Sequence, residues 1–186
     1  MTKDYWFISD CHFGHANMLK FTDAAGNPVR PGFADTHHMN DHMIKCWNSV
    51  IKPQDHVYFL GDLCFSNQTL HDVMPRLVGH KRLILGNHDN LKMDEYYKYF
   101  QKITSWRNFT EFKHKFIACH FPLHPSALEG RGARFNVHGH VHKNSLPDQR
   151  YINVSVEVIN YTPINVDDLM KLMDNRLLTV DFSKGL

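Results

Sequence analysis

The chain has 186 residues, 42% hydrophobic and 22% charged, with a formal net charge of +2. That length and balance suit a globular chain burying its core in one domain, residues 1–186. The charge is too small to argue for a nucleic-acid or anionic-membrane partner, and no apolar run approaches the ~20 residues of a spanning helix.

Taken in order, Tyr5-Trp6-Phe7-Ile8 reads as a first strand, ending at Ser9-Asp10-Cys11-His12. Residues Lys20 to Phe33 carry Gly26-Asn27-Pro28 and Pro31-Gly32 and read as an irregular loop. A helix begins near Asp35 or Thr36, either of which can cap it, and presents Met39, Met43, Ile44, Trp47 and Ile51 on one face before Pro53. His56 to Leu60 makes a second strand, ending at Gly61-Asp62. Gln68 to Val78 follows with helical spacing, kinked or broken at Pro75. Leu83-Ile84-Leu85 is the third strand, ending at Gly86-Asn87-His88-Asp89, and Tyr96 to Phe100 suits a short helix.

From Phe109 the pattern turns to consecutive strands. Phe109 to Phe112 and Lys115 to Cys119 read as a hairpin across Lys113-His114, the second arm running into His120. A loop from Phe121 to Gly132 leads to Phe135-Asn136-Val137, which ends near Gly139-His140-Val141-His142. Tyr151 to Val158 is a further strand. Asn165, Asp167 and Asp168 open a last helix with Leu169, Leu172 and Met173 inward, and Leu177 to Val180 suits an edge strand. Strand–helix alternation followed by strands calls for one α/β domain of two packed sheets with helices outside.

Histidine, with 15 copies, is the compositional outlier. Five strand ends deliver Asp10, His12, Asp62, Asn87, His120, His140 and His142 to one rim, where open α/β sheets bind ligands. Asp10 and His12 are two apart and share a face of an extended strand, as do His140 and His142. Carboxylate and amide oxygens mixed with imidazole nitrogens suit Mn, Fe, Zn, Co or Ni better than Ca. Seven ligands exceed one tetrahedral ion, but fit two divalent ions roughly 3.5–4 Å apart. Asp62, alone at its strand end, is the natural bridge. Cys11, Cys46, Cys64 and Cys119 form no CxxC pair, and Cys11 and Cys119 read as buried packing residues. With no signal-peptide pattern at Met1-Thr2-Lys3-Asp4, they point to the cytoplasm. Trp6, Trp47 and Trp106 read as core.

The ordered set Asp10-x-His12, Gly61-Asp62, Gly86-Asn87-His88-Asp89, His120 and Gly139-His140-Val141-His142 resembles the five blocks of the calcineurin-like metallophosphoesterase superfamily, especially its small bacterial and phage-type members. The resemblance implies a four-layer α/β/β/α sandwich of two mixed sheets flanked by helices, and a two-metal hydrolase of phosphate esters, with Mn the first expectation. One metal would take Asp10, His12, Asp62 and His142, the other Asp62, Asn87, His120 and His140. A hydroxide bridging the ions would attack phosphorus. His88, the family's non-ligand histidine, would meet the phosphate with Asn87 and assist the leaving oxygen, and Asp89 would orient it.

His15 and Asn17, just beyond the first block, are candidate substrate contacts, as are Arg131 and Arg134 in the glycine-broken loop before the last block. With little room for a separate cap domain, a fairly open site is expected, which suits a phosphodiester on a small or nucleotide-like substrate; a phosphomonoester is the alternative. Nothing resembles a nucleic-acid module. A catalytically silent metal-binding interaction module is disfavoured because His88 is present, and a structural zinc protein because paired cysteines are absent.

Overall fold

A computed structural model describes residues 4–129 and 132–177. In chain order the elements are β1 (Tyr5–Ile8), α1 (Thr36–Val50), β2 (His56–Phe59), α2 (Asn67–Val73), β3 (His80–Ile84), α3 (Met93–Tyr97), β4 (Lys102–Thr104), β5 (Trp106–Phe109), β6 (Phe116–Cys119), β7 (Phe135–His138), β8 (Tyr151–Asn153), β9 (Ile164–Asn165) and α4 (Val166–Leu177). They build two mixed sheets. The first has the order β4-β3-β2-β1-β9 with β9 antiparallel, and the second the order β5-β6-β7-β8 with β5 antiparallel.

The strand pleat decides which core each side chain joins. Phe7 and Tyr58 pair across β1 and β2 and face the second sheet, where they meet Phe109, Phe116, Phe135 and Val137. Ile8, Val57, Phe59 and Leu83 turn the other way, onto Met39, Met43 and Trp47 of α1 and Leu70 of α2. Helix α4 adds Leu169 and Met173 to the core between the sheets. Helices thus flank two stacked mixed sheets, as the sequence pattern requires. On the second sheet's outer face, the Leu123 amide donates to Asn136 Oδ1 at 2.8 Å, and Tyr151 Oη donates to the Leu123 carbonyl at 2.6 Å. The loop after β6 therefore supplies cover there. Asp35 caps α1 by accepting from the His38 amide at 2.8 Å, worth about 1 kcal/mol. No helix among the described residues is long and apolar enough to cross a membrane.

Several local expectations shift. Helix α2 stops at Val73 and a 3₁₀ turn, Met74–Arg76, takes up Pro75, which has no N–H to continue the ladder. Helix α3 starts at Met93, earlier than expected, with Asp94 and Glu95 in its positive first turn. The hairpin arm ends at Phe109, because Phe112 folds back onto the Phe109 and Phe116 rings, 6.0 Å from each. The run from Tyr151 yields only the short β8; the chain then turns, with the Val158 amide donating to the Ser155 carbonyl at 2.8 Å. Leu172 lies at the edge of the α4 stripe and is 37% exposed, and Trp106, on the outermost strand of its sheet, is 59% exposed, so neither is core. Helix α4 is described as far as Leu177, and the expected edge strand at 178–180 lies outside the described residues.

What positions the site is the rim where the two sheets meet. The carboxyl ends of β1, β2, β3, β6 and β7 all carry the polar motifs. Ser9 ties the sheets together: its amide donates to the Val154 carbonyl at 3.0 Å, and its carbonyl accepts from the Val156 amide at 3.1 Å. Such closeness leaves no space for side chains at certain glycines. A Cβ on Gly139 would stand 1.9 Å from Ser9 Oγ and 2.2 Å from Asp10 Oδ2. Gly139→Ala should therefore push the sheet ends apart at about 1–3 kcal/mol, lowering the melting temperature by roughly 2–12 °C. Gly132→Ala, with nothing within 4 Å of the added carbon, is the control. Equal melting curves for the two variants would contradict this packing.

Candidate metal centre

Two groups of ligand atoms face one another at the rim. Asp10, His12 and His142 each offer one atom within 4.8 Å of the others, and so do Asp62, His120 and His140. Asp62 Oδ2 lies between the groups, 3.6 Å from His12 Nε2 and 3.4 Å from His120 Nε2. Asn87 Oδ1 joins the second group, 3.0 Å from His120 Nε2. All seven residues singled out at the strand ends thus converge. They do not converge as extended strands, however. Asp10, His12, Asp62, His140 and His142 all have positive φ, between 48° and 71°. The alternation argument for Asp10–His12 and His140–His142 therefore fails, and the two histidines of the last block divide between the groups.

Left-handed backbone at non-glycine residues costs of order 1–3 kcal/mol each, and the surrounding bonds hold it. The Asp10 amide donates to the Gly61 carbonyl at 3.1 Å, and the His12 amide to the Asp62 carbonyl at 2.9 Å. The His140 amide donates to the Asp10 carboxylate, 2.9 Å from Oδ2. Asp10 Oδ2 also accepts from Ser155 Oγ at 2.8 Å. The sequence expectation that Asp89 orients His88 does not hold. The Asp89 oxygens accept from the amides of Asp62, Leu63 and Gly86 at 2.8–2.9 Å, clamping the turns after β2 and β3.

The donor atoms fit a cation. His120 Nδ1 donates to the Leu60 carbonyl at 2.7 Å, which aims Nε2 at the oxygens of Asn87 and Asp62. Both nitrogens of buried His12 lack a hydrogen-bond partner among the described residues, and orphaned polar atoms of this kind are costly unless a ligand takes them up. Burial pushes the His12 pKa down to about 3, so the ring is neutral and able to ligate. Burial raises the Asp62 pKa, but the His120 imidazole and the His88 amide outweigh it, bringing the value to about 2.

Two residues that carry no motif complete the first group. Glu157 Oε1 accepts from His142 Nδ1 at 3.0 Å, turning the other ring nitrogen inward, the arrangement carboxylates provide behind metal-bound imidazoles. Arg30, fully buried, donates to Glu157 Oε1 at 2.8 Å and to the Cys11 carbonyl at 2.8 Å, and also reaches the Asp10 carbonyl. Glu157 left a trace in the sequence: within Val154-Ser155-Val156-Glu157-Val158 the polar residues alternate with valines. Arg30 left none, sitting between Pro28 and Pro31 in an irregular loop.

The other candidates separate by position. His88 stands at the opening, exposed, its ring 5.7 Å from that of His12 and its amide donating to Asp62 Oδ1 at 2.9 Å. His15 packs beside His12, ring centroids 5.7 Å apart, next to the first ligand group. Asn17 is exposed in the 3₁₀ segment Ala16–Leu19. Arg134 precedes β7, its amide donating to the Lys115 carbonyl at 3.0 Å, at the opposite end of the strand from His140. Its backbone is thus set apart from the rim that carries the ligand groups. Arg131 lies outside the described residues.

Burial raises the Glu157 carboxyl, yet the His142 hydrogen bond and the Arg30 charge outweigh it and hold the pKa at about 2, against an ordinary 4.5. A depressed folded value means that the ionised carboxylate stabilises the fold above pH 4.5 and that this stability is lost as pH falls towards 2. Glu157→Gln should therefore melt below the wild type at pH 7, with the gap closing through that window. A gap that is constant with pH would show that the charge contributes nothing.

No family model matches the chain. Among solved structures, the protein of unknown function AQ665 from Aquifex aeolicus overlays with a TM-score of 0.73 at 26% identity, covering 92% of this chain and 100% of that one. A novel archaeal phosphodiesterase overlays with a TM-score of only 0.48 at 18% identity, over 81% of this chain and 82% of its own, a likeness too loose to bear on chemistry. The uncharacterized protein MJ1445 of Methanocaldococcus jannaschii is 36% identical over 182 residues, 92% of each chain. Likeness at that level along nearly the whole of both chains makes this protein a member of the MJ1445 family.

Proposed function

We propose that the chain is a metal-dependent phosphoesterase of the calcineurin-like kind, holding two divalent ions, Mn foremost, and cleaving phosphodiesters in preference to monoesters. One observation carries the reading: two ligand groups meet at the Asp62 carboxylate, and the buried His12 imidazole beside it has no hydrogen-bond partner for either nitrogen among the described residues. Asp10, His12, Asp62 and His142 would hold one ion, and Asp62, Asn87, His120 and His140 the other. Bound there, the pair would neutralise phosphate oxygens and make water nucleophilic near neutral pH.

The chain's own residues supply the rest. Asn87, His88 and His140 are exposed, so an ester can reach the rim from solvent, which suits the two substituents of a diester. His88 belongs to neither ligand group, and its backbone is tethered through Asp62 Oδ1. Its ring is therefore held beside the centre yet free to give a proton to the departing oxygen, or to stabilise its charge. The four free thiols, three of them buried, fit a reducing cytoplasm.

Hydrolysis of a chromogenic phosphodiester with Mn added tests the activity, and His88 tests the mechanism. His88→Ala should keep its metal content while kcat falls by roughly 10²–10⁴. An alkyl leaving group, which needs its proton, should suffer most, and p-nitrophenolate least. Equal losses on both substrates would replace proton donation by charge stabilisation. An unimpaired variant would remove His88 from the mechanism.

A further inference from the structure

A cavity of about 430 Å³ opens beside the first ligand group, with His142 in its wall. Phe21 and Val29 form its apolar sides with Met18 behind them, while Asp23 and Lys143, an ion pair, stand at its rim. The loop that carries these residues is fixed internally. The Val29 amide donates to the Phe21 carbonyl at 2.8 Å, and Asp23 Oδ1 accepts from the amides of Ala25 and Asn27 at 2.9 and 2.8 Å. Arg30 anchors its end to the backbone of Asp10 and Cys11. The wall therefore stands ready before any ligand arrives, which lowers the ordering cost of binding.

Phe21 is 48% exposed and Phe65 is 43% exposed, although large aromatics ordinarily bury their surface. They belong to a row of rings. Phe21 lies 6.1 Å from His15, His15 lies 4.4 Å from Phe65, and Phe65 lies 5.0 Å from His88. The row runs from the cavity to the leaving-group histidine, passing His12, whose ring is 5.6 Å from Phe65. An aromatic face with polar groups at its rim suits a flat heteroaromatic ring that stacks on one side and hydrogen-bonds along its edge. An alkyl group would use the face and waste the rim.

We infer that the Phe21 cavity is a base-binding subsite, so that the substrate is a nucleotide ester with its phosphate at the metal centre and its base against Phe21. The inference rests on the phosphoesterase reading, and its test separates the two. Calorimetric titration of the Mn-loaded protein with adenosine 5′-monophosphate and with methyl phosphate compares a phosphate with and without a base. The nucleotide should bind about 10- to 100-fold tighter, the worth of one stacked base. Phe21→Ala should abolish most of that preference at unchanged metal content, and Val29→Trp, filling the cavity from a second lining position, should do the same. Equal affinities in the wild type, or a preference that survives both substitutions, would overturn the subsite. Turnover of methyl p-nitrophenyl phosphate by a protein without base preference would leave the phosphoesterase standing and remove the subsite. Base-dependent binding without turnover of any ester would do the reverse.

Discussion

The position of one carboxylate governs the rest of this molecule. Asp62 Oδ2 sits between the Nε2 atoms of His12 and His120, within 3.6 Å of both, while Oδ1 accepts the His88 amide. Its own amide is clamped by Asp89, so neither backbone nor side chain can drift. Because one ligand group comes mostly from the first sheet and the other draws on the second, this carboxylate works only if the sheet ends press together. The glycines before the ligands permit that approach. A Cβ on Gly86 would lie 2.3 Å from Asp62 Oδ1, and one on Gly61 only 2.7 Å from His120 Nδ1.

Such crowding opposes stability in the metal-free protein. Five ligand residues hold left-handed backbone, and His12 buries two ring nitrogens without a hydrogen-bond partner among the described residues. The two stacked cores and the Arg30–Glu157 pair supply the stabilisation that keeps this rim assembled. A bound cation would relieve the convergence, so fold stability and metal occupancy would be coupled through the same residues. The site is costly because the strand ends must do in one place what several separated loops could do more loosely.

Much of this was legible in the sequence because the relevant signals are local. Apolar runs ending in polar turns located β1, β2, β3, β6 and β7 and all seven ligand candidates. The stripe from Met39 to Trp47 located α1, with Asp35 as its cap. What escaped depends on contacts distant in the chain. Arg30 meets Glu157 across 127 positions, and Asp89 serves the amides of Asp62 and Leu63 rather than its neighbour His88. Strands β4 and β9, of three and two residues, are too short to show a period. The spacing of Asp10 and His12 suggested a shared strand face, whereas left-handed turns bring them together. Arg134 was close in sequence to the last histidine block, but a four-residue strand places it at the other end.

The claim that Asp62 is shared is tested most directly by counting metal in the wild type, Asp62→Asn, His120→Ala and His142→Ala after loading with Mn and removal of free metal. The proposed centre predicts two ions per chain in the wild type, loss of both from Asp62→Asn, and loss of one each from the two histidine variants. A single ion in the wild type, lost equally from all three variants, would contradict a binuclear centre built on Asp62.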